Sequence, residues 1–329
     1  MRRVSAAWLS IALACVACGE KTRTPPGEPP PDTSIGFEDD PSVRPAFRAG
    51  SDYPGERLEL DERVWELLAE AGEHEKKPAF AILTPHAGFV YSGHVAATAY
   101  ARVQVPDTII LVTPKHHGEG ESPALWNEGP FIIPGHAVQV RNDLVERFAE
   151  LAPDGEAKLD RAAFMESANH PLENQLPFIT TLNPEAKIVP FAIYDNSGRH
   201  FSDWDNERVE AWGRALADLV TEIEAAGDDV LVVATTDLVH RIPLTDAEEQ
   251  DAQLLEHFVA RNVNAVHEYV VAGSITICGE MPTAITMSAA NHLGYTNTEL
   301  VLHDTSFHRQ QDPDSVVGYP SVIFWPESK

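Results

Sequence analysis

Apolar positions along the chain follow two alternating rhythms. Val64, Leu67, Leu68 and Ala71 share one helical face, and Gly72 follows as a stop, so a helix is expected there. AFAILT (79–84), DTIILVT (107–113), KIVPFAI (187–193) and DVLVVAT (229–235) are short, nearly unbroken apolar runs, the pattern of strands buried on both faces. Between them lie helical patterns at 93–103, about 143–151 and about 206–226, with another near 282–293. Thr245 followed three residues later by Glu248 reads as a capping box opening a further helix. FIIP (131–134) and HAVQV (136–140) form a less regular stretch, and strands near 298–303 and 315–325 close the pattern. The expected fold is α/β, a single domain with a central, largely parallel or mixed sheet flanked by helices.

The N-terminal region does not follow this pattern. Arg2 and Arg3 precede an apolar stretch from Val4 to Val16, then Ala17-Cys18-Gly19. A short apolar run behind positive charge reads as an export signal, and a small residue directly before Cys18 is the arrangement of a bacterial lipoprotein signal. Residues 1–18 are therefore expected to be a signal with Cys18 lipidated, Cys15 being a weaker candidate. Residues 19–47, with TPPGEPPPD and FEDDPSVRP, read as a proline- and acid-rich tether, and 48–329 as the folded domain. The expectation is an exported lipoprotein, held at a membrane by its anchor and facing the periplasm or the outside.

Composition narrows the picture. The 329 residues carry 24 Lys+Arg against 51 Asp+Glu, a formal charge of −27, which speaks against a nucleic-acid partner because phosphate binding is driven by Lys and Arg. Nothing in the sequence identifies a protein partner. Of three cysteines, two lie in the expected signal, so Cys278 stands alone in the body and an internal disulfide is excluded.

Candidate chemistry gathers at strand ends. The run ILTPHAGFVYSGH (82–94) leaves its strand at Pro85-His86. DTIILVT leads into Pro114-Lys115-His116-His117, and DVLVVAT into Thr236-Asp237 with His240 three residues on. In open α/β sheets ligands bind beyond the carboxyl ends of the strands, so these side chains are expected near one another. Cys278-Gly279 precedes a helix, where a thiol is disposed toward the thiolate needed for metal or redox work. His170 and Glu173 lie three apart in ESANHPLENQLPF (166–178), where Glu173 reads either as a carboxylate orienting an imidazole or as the acidic first turn of a helix. His136, His200, His257, His267 and His308 read as surface or satisfied residues. No nucleophile elbow surrounds Ser92 or the other hydroxyls.

In order along the chain, HAGFVYSG (86–93), TPKHHG (113–118), HPLENQLPF (170–178), TTDLVH (235–240) and CGEMP (278–282) resemble the motifs of the Memo family, whose bacterial members are called AmmeMemoRadiSam system protein B. RAGSDYP (48–54) is similar to its opening motif, and the resemblance spans about residues 45–325. Phe89, Lys115 and Thr235-Thr236 stand where tyrosine, serine and a pair of serines are common.

The resemblance implies a fold like that of class III extradiol dioxygenases. It implies metal ligands His86, His116 and Cys278, with Asp237 and His240 lining the pocket; His117, His170 and Glu173 are candidates for its surroundings. One transition-metal ion is expected, Fe or Cu in preference to Zn, since two imidazoles and a thiolate suit these and not Mg or Ca. A small molecule or O₂ is the expected ligand at the open coordination position. His240, oriented by Asp237, would act as general acid or base. Three functions fit: a metal-dependent redox enzyme, a metal-binding accessory protein serving a partner, and a metal-dependent hydrolase.

Overall fold

In the computed structural model the apolar runs at 81–84, 108–115, 187–194 and 230–235 form the centre of one sheet. The structure describes residues 32–34, 36–37, 40–116, 119–165, 170–194, 206–273 and 275–326, apart from the side chains of His170 and Tyr194.

The elements run in the order α1 (Arg57–Glu70), β1 (Ala81–Thr84), α2 (Phe89–Tyr100), β2 (Thr108–Lys115), β3 (Ala124–Leu125), β4 (Phe131–Ile133), β5 (His136–Val138), α3 (Asn142–Leu151) and β6 (Lys158–Leu159). Then follow α4 (His170–Glu173), α5 (Leu176–Leu182), β7 (Lys187–Tyr194), α6 (Asn206–Ala225), β8 (Val230–Thr235), β9 (Asp237–Ile242), α7 (Leu244–Ala260) and α8 (Val263–Gly273). The chain closes with β10 (Ile277–Cys278), α9 (Glu280–His292), β11 (Asn297–Thr305), α10 (Phe307–Gln310) and β12 (Val316–Trp325).

Strand order in the main sheet is β10-β9-β12-β1-β8-β2-β7-β3-β6, with β11 beside β12. The central four, β1-β8-β2-β7, are parallel, and β12, β9, β10 and β11 add antiparallel neighbours on one side. The sheet is mixed, and the fold is a single α/β domain.

Strand periodicity divides the core in two. Ile110 and Val112 of β2, with Val189 and Phe191 of β7, pack on the face covered by α3, α6 and α9. Ile109 and Leu111, with Ile188, pack on the opposite face, under α1, α2 and α5. Successive side chains of a strand point to opposite faces, so a strand covered on both sides must be apolar throughout.

Two expectations change, and one element is new. Residues 40–47, read as tether from their proline and acid, belong to the folded unit: Val43 and Arg44 are buried, and Arg44 pairs in a parallel bridge with Phe131. Composition suggested a solvated spacer there, but Arg44 has a buried partner, Glu173, far along the chain. The helix expected to open at a Thr245–Glu248 capping box begins instead at Leu244, with Pro243 as N-cap and no side-chain cap. The Thr245 hydroxyl lies 3.5 Å from Asp246 Oδ1, and the fixed φ of Pro243 sets the turn into the helix. Residues 237–242 form β9, which pairs with β10 and β12, strands from much later in the chain.

Candidate metal centre

Parallel pairing of β1, β8 and β2 brings their carboxyl ends to one edge of the sheet. His86 leaves β1, Thr235-Thr236 end β8, and His116 leaves β2. The backbone N–H of Thr236 donates to the Thr84 carbonyl at 3.0 Å, fixing the stagger of the first two ends. The thiol arrives from the other direction. Cys278 in β10 is in register with Asp237 in β9. Gly279 then turns the chain into α9 with φ of +116°. A Cβ at Gly279 would lie 2.3 Å from the Thr235 carbonyl oxygen and 2.7 Å from the Thr236 Cα. Only glycine permits both that backbone and that approach.

The result is a convergence of donors from distant parts of the chain. Cys278 Sγ lies 3.3 Å from His86 Nε2 and 3.2 Å from His240 Nε2. The rings of His86 and His116 meet edge to face at 5.1 Å. His86, His116 and Cys278 can each offer a ligand atom within 4.8 Å of the others, and the same holds for Asp237, His240 and Cys278. The sulfur belongs to both groups.

The geometry fits a transition metal. Zn–S and Zn–N bonds of about 2.3 and 2.0–2.1 Å at a tetrahedral angle put sulfur and nitrogen roughly 3.5 Å apart, close to the separation between Cys278 and His86. His86, His116 and Cys278 would hold the ion.

Neighbouring groups fix the rings. His86 Nδ1 lies 3.1 Å from the hydroxyl of buried Thr235, which leaves Nε2 directed at the sulfur. His240 Nδ1 donates to the Thr276 carbonyl at 3.3 Å, again leaving Nε2 toward Cys278. Burial holds His240 below the usual imidazole range, although the Thr276 carbonyl pulls the other way. Asp237 does not hydrogen-bond His240, contrary to its expected role. Its carboxylate accepts the backbone N–H groups of His86, at 2.9 Å, and Ala87, and its other oxygen lies 3.8 Å from His86 Nε2. It organises the loop that carries His86. Burial raises Asp237 to about 7, against the lowering effect of those N–H donors.

The segment 170–178 serves the site differently than expected. Glu173 is fully buried, and its partners among the described side chains include no imidazole. It pairs with Arg44 and accepts from the Tyr53 hydroxyl and from the backbone N–H groups of Phe47 and Arg48. The next two residues reach the metal loop: Asn174 donates to the His86 carbonyl at 2.8 Å and Gln175 to the Pro85 carbonyl at 3.0 Å. Asn174 also donates to Asp52, whose carbonyl accepts the N–H of Phe89. Three consecutive polar residues, Glu173-Asn174-Gln175, inside an apolar run were the available signal for this clamp.

Thr235 and Tyr319 were also missed by sequence reasoning. Tyr319 is buried, and burial, then Asp237 and Cys278, raise its phenol. His117, the side chain of His170 and Cys18 lie outside the described residues.

Residues 44–323 match the family model described as Memo-like protein. A MEMO1 family protein of Aquifex aeolicus is 29% identical over 286 residues, covering 86% of this chain and 99% of that protein. The MEMO1 family protein MTH_45 of Methanothermobacter thermautotrophicus is 31% identical over 241 residues, covering 72% and 82%. A solved structure of an uncharacterized protein, JW3007 from Escherichia coli K12, covers 73% of this chain and 98% of its own at 14% identity, with a TM-score of 0.45. From Arg44 to Ile323, the whole span that builds the clamp and the sulfur-centred site, this chain belongs to the Memo-like family.

Proposed function

We propose that this protein binds one redox-active transition-metal ion through His86, His116 and Cys278 and works as a metal-dependent oxidoreductase outside the cytoplasm. The observation that carries the reading is the sulfur of Cys278 at 3.3 Å from His86 Nε2, within one ligand cluster that includes His116. A thiolate among two imidazoles favours Fe or Cu over hard cations. When bound, the metal supplies an open position for O₂ or a small molecule and a route for electrons.

The chain's own residues do the rest. Thr235 bonds His86 Nδ1 and so orients the ring with Nε2 toward the Cys278 sulfur. Asn174, Gln175 and Asp237 fix the loop from which His86 projects. His240, with its proton on Nδ1 and its lone pair on Nε2, takes or returns a proton beside the sulfur. Cys18, in this reading, carries the lipid that holds the protein at a membrane, and the residues before Asp32 serve as the spacer.

Metal analysis of the protein purified from its native compartment, beside His86→Ala and Cys278→Ala, tests the proposal. Fe or Cu at one ion per chain, lost in both folded variants, with O₂-dependent turnover, supports it. Zn in place of Fe or Cu as the ion lost with Cys278→Ala contradicts the redox role and favours water activation by the metal. Full metal retention in both variants contradicts the site.

A further inference from the structure

A second group of ligating side chains lies outside this site. His94 comes from α2, Asp304 from the end of β11 and His308 from α10. Each can offer one ligand atom within 4.8 Å of the others. His94 Nε2 is 2.7 Å from Asp304 Oδ2, and His308 Nδ1 is 3.5 Å from the same oxygen. The two imidazoles stack, with centroids 4.8 Å apart and planes 23° from parallel, so both present nitrogens to one carboxylate.

Local bonding assigns the atoms. Asp304 Oδ1 accepts the backbone N–H of Thr305 at 2.7 Å, which turns Oδ2 toward the rings. The other nitrogen of His94, Nδ1, is buried with no hydrogen-bond partner among the described residues, which leaves Nε2 as its working nitrogen. Exposure rises across the group, from 13% for His94 through 29% for Asp304 to 51% for His308, so one side is fixed in the protein and the other is open to solvent.

We infer that His94, Asp304 and His308 form a second, surface-facing site for a divalent first-row transition-metal ion. Two imidazoles and one carboxylate suit Zn, Co or Ni, with water completing the shell on the exposed side. The donor set contains no sulfur, so the two sites differ in spectroscopic signature.

The test is a titration of metal-free full chain with Co(II), followed by absorption and equilibrium dialysis. The unsubstituted chain is expected to bind two Co(II), one of them with thiolate-to-cobalt charge transfer. His308→Ala, an exposed substitution, is expected to bind one fewer while the charge-transfer band stays. Cys278→Ser is expected to lose the band and keep the other ion. Unchanged stoichiometry in both His308→Ala and Asp304→Asn overturns the second site, as does a single ion in the parent that is lost with Cys278→Ser. Absence of the charge-transfer band in the parent counts against the first site and leaves the second to be judged by the His308→Ala count.

Discussion

Gly279→Ala tests whether the fold really sets the position of the thiol. The glycine sits at φ +116° between Cys278 and α9, with backbone atoms of Thr235 and Thr236 against it. A side chain there costs about 1–3 kcal/mol for the backbone conformation. Overpacking against main-chain atoms costs about 1–3 kcal/mol more, since a neighbouring backbone cannot rotate out of the way. With a shift of about 2–4 °C per kcal/mol for a chain near this size, the melting temperature of the metal-free protein should fall on the order of 10 °C. Relief of the contact requires Gly279 and the end of β8 to separate, which draws β10 with it. That withdraws Cys278 from His86, so metal affinity should fall together with stability. The assay is differential scanning calorimetry of the metal-free chain, paired with competitive metal binding against a chelator. Normal melting and affinity in Gly279→Ala would refute the proposed packing of β10 on β8.

Other substitutions separate holding the metal from holding the fold. Thr235→Val removes the partner of His86 Nδ1 and should weaken metal binding about 10–100-fold with little loss of stability, measured by the same competition. Glu173→Ala strands the buried Arg44 guanidinium and should cost about 3–5 kcal/mol in denaturant unfolding, while leaving the metal stoichiometry of the folded protein intact. For Asp237, burial raises the folded carboxyl to about 7 from an ordinary 3.8, so the folded chain holds this proton more tightly than the unfolded chain. Stability of the metal-free protein therefore falls as pH rises from near 4 to near 7, with a ceiling of about 4 kcal/mol for this group. Asp237→Asn should remove that slope, giving a stability advantage at pH 8 that vanishes at pH 4; parallel unfolding curves for the two proteins would contradict it.

How much was legible in the sequence follows from how local each signal was. Buried parallel strands are apolar throughout, so β1, β2, β7 and β8 announced themselves, and with them the edge where His86, His116 and Asp237 gather. β9 did not. DLVHRI follows β8 after a single residue, lacks clean alternation, and becomes a strand only because β12 and β10 come to pair with it. Glu173 looked like a partner for an imidazole because it lies three residues from His170. Its actual partners, Arg44 and Tyr53, are more than a hundred residues away, and Arg44 lies where composition suggested a spacer. His94 and His308 gave no signal either, since their common partner Asp304 unites them only after β11 and α10 fold against α2.

X-ray absorption at the K-edge of the ion carried by the native protein tests the central claim most directly. The account predicts one sulfur at about 2.3 Å and two imidazole nitrogens at about 2.0–2.1 Å, with the sulfur contribution gone in Cys278→Ser. A first shell of nitrogen and oxygen alone in the unsubstituted protein would contradict it.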